Sequence, residues 1–289
     1  LVELDLTHFE PLRKRTLPGT IVSAIAPPDG KSLIVITEDP ASLCVVDPDT
    51  LRVNRQTQLP ENPTGLAVSQ SIAAVASNSR GVTRVSLPDC RILGATELGS
   101  KCGTLQFRND GKMILAGLTE MKQVLTLDVA TGAPLARLPL SFAPERFSFN
   151  DNGGQMFVTG AGDQDVIAIV NPYQSEVDQT IVAGRTPHGM AVSFQRNLLL
   201  VTNPGSGDLT ILDIDTRKLS ASVHTGGNPG EVLLTPDEEY ALVIGQDSGD
   251  VSVIRMPTVL DRSVKTKPLF TVFPMGGKPL SAVIVPKEA

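Results

Sequence analysis

Short apolar runs flanking a turn of Pro, Gly, Ser and Asp recur along the chain. The clearest copy is LLLVTNPGSGDLTILDID at 198–215, and rougher copies are LIVITEDPASLCVVDPDT, MILAGLTEMKQVLTLDVATG, MFVTGAGDQDVIAIVNPYQ and ALVIGQDSGDVSVIRMPT. The residue that closes the second run is Asp5, Asp47, Ser86, Asp128, Asn171, Asp213 and Arg255 in turn, with successive spacings of 42, 39, 42, 43, 42 and 42. A sustained period near 42 residues marks a repeat architecture. Within each unit the side chains alternate with period 2, as in Val-Ser-Val at 251–253, which predicts strands. No convincing stretch of ten or more residues carries helical periodicity, so the chain reads as all-β.

Each unit resolves into four strands. In the best copy these are GMAVSF after Pro187, LLLVTN, DLTILDI and LSASVH. Four-stranded antiparallel units of this length, repeated around an axis, are the blades of a β-propeller. Six full blades are predicted at 17–59, 60–98, 99–140, 141–182, 183–224 and 225–273, within one domain over 1–289. The leftovers, 274–289 and 1–16, supply a first strand and a third and fourth strand, giving a seventh blade shared by the two termini, which removes exposed sheet edges. Counting from Pro279 leaves room for about 11 residues between Ala289 and Leu1, one strand, so either the natural chain continues before Leu1 or this blade has three strands. Pro229 to Pro279 spans 50 residues against 42 from Pro187 to Pro229, which places an insertion of 8 in RMPTVLDRSVKTKPLFTVF. Its Arg255, Arg262, Lys265 and Lys267 read as a solvated excursion or as contacts for an acidic partner.

Three residues after the closing slot stands Thr or a similar group, as in Asp47/Thr50, Asp128/Thr131, Asn171/Gln174 and Asp213/Thr216, with the order swapped at Ser86/Asp89. A short carboxylate there accepts hydrogen bonds from the turn between the third and fourth strands, an architectural role. These copies resemble the YVTN-type β-propeller repeats of prokaryotic surface and secreted proteins. The resemblance is carried by LLVTN (199–203) with LTILDIDTRK (209–218), by MFVTG (156–160) with VIAIVNPYQ (166–174), and by the Gly-x-x-Pro stretches GRTPHGMAV (184–192) and GGNPGEVLL (226–234). It implies a seven-bladed propeller and an extracytoplasmic location: periplasmic, cell-surface or secreted. The chain has no tryptophan, so the closing dipeptide of WD40 repeats is absent.

Composition narrows the picture. The 25 Lys and Arg against 31 Asp and Glu give a net charge of −6, which disfavours nucleic acid or an anionic membrane surface as partner. No run of 18 apolar residues exists to span a bilayer. The three cysteines, Cys44, Cys90 and Cys102, are too few and scattered for a disulfide framework; Cys44 reads as buried packing, and Cys90 and Cys102 lie a strand length apart, beyond the about 7 Å a disulfide allows.

Propeller ligands sit at the mouth formed by the loops between second and third strands and those leading into each first strand. The corresponding polar positions cluster on three adjacent blades: Glu145, Arg146, His188 and Glu231. Two carboxylates, an imidazole and a guanidinium can bind a polar ligand or serve as general acid and base, and a His with two Glu can hold a metal; against these stands a solvated mouth in which Glu and Arg pair. His8 and His224 read as structural or solvent-facing. The acidic stretches GDQD (162–165), PDEE (236–239) and DSGD (247–250) match no calcium loop and read as turns. No GxSxG, HExxH, CxxCH or phosphate-loop pattern occurs, so no cofactor, haem included, is expected.

Two readings follow. The first is a monomeric, non-catalytic propeller that presents a face to a protein or glycan partner. The second is a hydrolase: some propellers similar to this repeat family are lactonases, acting on sugar or acyl lactones through polar mouth residues. His188, Glu231 and Glu145 are the groups that would bear such chemistry here, although the flanking patterns do not align with a lactonase motif.

Overall fold

The structure is a computed structural model that describes residues 1–289 except 6–9, 28, 88, 261–267, 276, 280 and 286–289. The chain packs as two compact units, residues 1–102 with the C-terminal end from Val285, and residues 103–284. The first unit opens with a hairpin, β1 (Val2–Asp5) and β2 (Glu10–Lys14). Two four-stranded sheets follow: β3 (Thr20–Ile25), β4 (Leu33–Glu38), β5 (Ser42–Val46) and β6 (Val53–Gln58), then β7 (Pro63–Val68), β8 (Ile72–Ser77), β9 (Gly81–Ser86) and β10 (Arg91–Glu97). The second unit holds four more. These are β11 (Cys102–Phe107), β12 (Met113–Leu118), β13 (Gln123–Asp128) and β14 (Pro134–Pro139), then β15 (Ala143–Phe149), β16 (Met156–Ala161), β17 (Val166–Asn171) and β18 (Glu176–Val182). Next come β19 (Met190–Ser193), β20 (Leu198–Asn203), β21 (Asp208–Asp213) and β22 (Leu219–His224), and last β23 (Pro229–Leu234), β24 (Tyr240–Gly245), β25 (Asp250–Arg255) and β26 (Leu269–Pro274). Each is an antiparallel meander with consecutive strands adjacent, the blade of a propeller fold.

The second and third strands of the blades are largely buried, and within a unit neighbouring blades stack against them, so that an inner strand such as β20 is covered on both faces. In β20, Leu198 and Leu200 pack with Val232, Ala241 and Val243 of the following blade. Leu199 and Val201, one residue out of phase, pack with Phe157, Ile167 and Ile169 of the preceding one. Alternation of side chains across a strand therefore serves two cores at once, and the strand reads as an unbroken apolar run. First strands of adjacent blades come together, as β15 with β19 and β19 with β23, while fourth strands such as β18 are mostly exposed.

The turn between third and fourth strands is built as its residues predict. The Asp47 carboxylate accepts from the Thr50 amide at 2.7 Å and the Thr50 hydroxyl at 2.9 Å; Asp128 with Thr131 and Asp213 with Thr216 repeat the geometry. In the swapped copy the Ser86 hydroxyl donates to Asp89 at 2.9 Å. The next residue takes a left-handed conformation in each case: Leu51, Cys90, Gly132, Ser175 and Arg217. Its amide, in four of the five, donates to the carbonyl of the slot residue, as Arg217 to Asp213 at 3.0 Å. A register shift in the adjoining ladder follows, between Ile211 and Leu212 for example.

One expectation is corrected. Six four-stranded blades, not seven, are present among the described residues: β1 and β2 pair only with each other, and Ser281–Val285 form no strand. A first strand pairs only with a second strand, and the sequence between Leu1 and Ala289 offers none for this position. The Ala282 amide instead donates to the Glu231 carboxylate at 3.0 Å. The all-β reading stands: among the described residues the one helix is α1 (Met256–Leu260), five residues at the start of the blade-six insertion. Arg255 is exposed, and Arg262, Lys265 and Lys267, like His8, lie outside the described residues.

The acidic turn at 236–239 does more than turn the chain. Glu238, buried and in a left-handed conformation at φ 54°, reaches across to the neighbouring blade. Its carboxylate accepts from the Ser193 hydroxyl at 2.5 Å and the Phe194 amide at 2.9 Å, and Arg196 donates to its carbonyl at 2.9 Å. Glu238→Ala leaves the buried Ser193 hydroxyl and the Phe194 amide without this acceptor and is expected to cost about 2–4 kcal/mol by urea denaturation. An unchanged midpoint would show that the clamp contributes nothing.

The turn aspartates are held below the usual carboxylate range, Asp47 and Asp213 chiefly by the Thr50 and Thr216 amides. A carboxylate depressed in the folded state stabilises above its unfolded value, near 3.8, and loses that contribution as pH falls through its folded value. Asn171 fills the same slot in blade four and accepts from the Gln174 amide at 3.1 Å, so Asp213→Asn keeps the turn. We expect Asp213→Asn to melt lower than the parent at pH 7 and to converge with it once the pH falls below the folded-state value of the carboxylate, and Asp213→Ala to melt lower throughout.

Candidate functional site

In four of the six blades the ladder between first and second strands shifts register. The β15–β16 ladder shifts register between Pro144 and Arg146, and the β23–β24 ladder between Pro229 and Val232. Bulges re-aim side chains. Glu145 in the first, and Gly230 with Glu231 in the second, are passed over, so neither glutamate is held in the regular ladder. Just ahead of β19, the His188 amide donates to the Thr202 carbonyl at 2.9 Å and the Thr202 amide to the Gly189 carbonyl at 2.9 Å.

Two buried threonines pin these segments. Thr159 donates its hydroxyl to the His188 carbonyl, and Thr202 donates to the Gly230 carbonyl at 2.6 Å while accepting from the Gly189 amide at 2.9 Å. Each threonine, from the VTG or VTN of one blade, thus fixes the approach to the next blade's first strand. Close approach also requires Gly189: a Cβ there would lie 2.2 Å from the Gly230 carbonyl oxygen.

The repeat puts Glu145 and His188 at equivalent positions of adjacent blades, and His188 Nδ1 lies 3.8 Å from Glu145 Oε2. That separation exceeds a hydrogen bond. Burial, with the Arg146 guanidinium as a lesser cause, lowers the His188 pKa from 6.5 to about 4. The imidazole is therefore neutral at pH 7, and the contact with Glu145 is not an ion pair there. Burial pushes the Glu231 carboxyl up, against the opposing effects of the Ala282 amide and Arg146. Arg146 itself donates to the Glu145 carbonyl at 2.8 Å.

A cleft of about 230 Å³ opens between this segment and the β16–β17 loop. Glu145 and His188 line it; Arg146 and Glu231, the other two candidates, do not. Gln164, Asp165 and Thr186 also line it and were not foreseen. The GDQD stretch carries two of them, and its place between a second and a third strand was the available signal. Thr186 is left-handed at φ 53°, a costly state for a β-branched residue. It is held by its amide donating to Asp165 Oδ1 at 2.8 Å and by the Gly205 amide donating to its hydroxyl at 2.7 Å. Among the described residues no group of three or more His, Cys, Asp or Glu is arranged to hold a metal, so the His-and-two-Glu set is not assembled. His224 is largely exposed and sits 2.9 Å from Asp208. The three cysteines are buried and unpaired by disulfides. No helix among the described residues is long and apolar enough to cross a membrane.

No protein-family model matches the sequence, and no curated protein matches it. Solved structures match by fold. A hydrazine synthase chain from Kuenenia stuttgartiensis aligns with a TM-score of 0.81 at 17% identity, over 95% of this chain and 92% of that one. The Cps50 (Swd1) β-propeller domain of Myceliophteria thermophila aligns with a TM-score of 0.76 at 14% identity, over 93% and 90%. A chain of the mitotic checkpoint complex aligns with a TM-score of 0.75 at 14% identity, over 86% and 80%. At these identities the likeness shows the β-propeller fold alone.

The depressed imidazole has a measurable consequence. By ring-carbon NMR His188 is expected to titrate near 4, and Arg146→Met to move it upward but short of 6.5, because burial is the larger cause. Between about 6.5 and 4 the unfolded chain binds more protons at this residue than the folded one, so its contribution to stability falls as pH drops through that window. Titration at 6.5 would place the ring in solvent.

Proposed function

We propose that this protein is a non-catalytic propeller scaffold that presents the loop edge around Glu145 and His188 to a partner protein. The observation that carries this reading is the Glu145–His188 pair. At 3.8 Å the carboxylate does not orient the imidazole as a base-and-orienter dyad requires. With its pKa near 4, His188 is also a weak general base at neutral pH, where catalytic groups are tuned close to the working pH. Structures of similar fold include a member of the mitotic checkpoint complex and the Cps50 (Swd1) domain, which fit a scaffold role. The YVTN resemblance supports an extracytoplasmic setting; the protein is read as a monomer, with a glycan as the alternative partner.

The hydrolase reading keeps one observation in its favour: a cleft that holds a carboxylate and a neutral imidazole together. A pH-stat assay over a panel of sugar and acyl lactones, with and without divalent metal, separates the two. The scaffold reading expects no turnover above background, together with discrete adducts when a photo-cross-linking residue replaces Asp163 and none when it replaces Leu219. Turnover that collapses in His188→Ala or Glu231→Ala would overturn it.

A further inference from the structure

The cleft beside His188 is small, acceptor-rich and without a cation of its own. At about 230 Å³ it falls below the roughly 300–1,000 Å³ of sites that enclose drug-sized molecules, and is suited to one extended chain with a polar head. Its ionised walls are Glu145 and Asp165, and no Lys or Arg lines it. Asp165 uses one oxygen to hold the Thr186 amide. The Glu145 carboxylate sits beside His188, which carries no charge at neutral pH and offers a ring nitrogen as a further acceptor. Gln164 adds an amide.

Arg146 stands outside the walls; its charge acts on both His188 and Glu231, and the Glu231 carboxylate opposes it. In the two bordering loops Asp163 and Arg185 are both exposed. A group entering here meets two carboxylates of the same sign, which favour a cation over an anion. The walls are also fixed in advance: Thr159 pins His188, and the Asp165–Thr186–Gly205 chain of hydrogen bonds ties the two loops together. A preformed recess avoids the ordering cost that weakens binding by mobile loops.

We infer that this cleft is the seat for a single lysine or arginine side chain presented by a partner protein. The inference rests on the scaffold reading above and gives that partner a chemistry: a basic residue, flanked by chain slender enough to reach between the two loops. The charge of the head group, and not its length, selects the ligand.

The test uses the whole chain and defined probes. Acetyl-Gly-Arg-Gly-amide and acetyl-Gly-Lys-Gly-amide are titrated while the His188 ring and Gln164 side-chain amide signals are followed by NMR. The controls are the same peptides carrying citrulline and Nε-acetyl-lysine, and n-butylammonium as a free amine. Saturable shifts confined to the cleft, at least tenfold weaker for the neutral peptides and at least tenfold weaker in the Glu145→Gln/Asp165→Asn double variant, are expected. Asp165→Asn alone, which can keep an acceptor for Thr186, guards against a collapsed loop, and the spectrum of each variant reports its fold. Equal binding of charged and neutral peptides, or no shift at millimolar peptide, would overturn the basic-side-chain inference. Tighter binding of n-butylammonium than of the peptides would assign the cleft to a small amine and overturn the partner protein as source. Either failure leaves the scaffold reading standing if the loop-edge cross-links still form, whereas lactone turnover removes the scaffold reading itself.

Discussion

The fold rests on a packing constraint. Strands such as β20 have no solvent face, and each must satisfy a different neighbour on either side. Leu200 commits the strand to the blade that follows, and Leu199 to the one that precedes. A slip of one residue would exchange the two cores, placing every side chain in a pocket shaped for another, so register is fixed from both faces at once. No single blade buries its own apolar surface, and stability is shared between neighbours as in other repeat proteins.

The site depends on that stacking. His188 and Glu145 meet because equivalent positions of adjacent blades face one another, and Thr159 and Thr202 carry the stacking into hydrogen bonds that fix the approach to each first strand. On the opposite edge of the same blades, Glu238 ties the turn of one blade to the turn of the next. Strain is stored at both edges, in Thr186 above and Glu238 below, and in each case a side chain from another part of the chain holds the residue in its left-handed state. The proposed reading of the loop edge, a rigid acceptor-rich recess, is a consequence of this double anchoring.

What the sequence by itself determined is what depends on short-range chemistry. The period near 42 residues and the apolar runs specify strands and their order, since side-chain alternation and turn composition are local properties. The Asp-x-x-Thr turns were legible because donor and acceptor lie three residues apart. The pairing of the blade-four to blade-six mouth residues was legible only as a neighbourhood, because repeat position gives proximity but not direction.

Tertiary structure decided the rest. Bulges at Pro144 and Pro229 aim Glu145 and Glu231 differently, so that Glu145 and His188 share a cleft while Arg146 and Glu231 lie outside it. Burial fixes the charge state of His188, which no local pattern encodes. The same applies to the PDEE turn, whose Glu238 finds its partners 44 and 45 residues away, and to the blade count, since among the described residues no second strand pairs with Ser281–Val285. Long-range contacts set direction, burial and charge, and these are quantities that spacing along the chain does not contain.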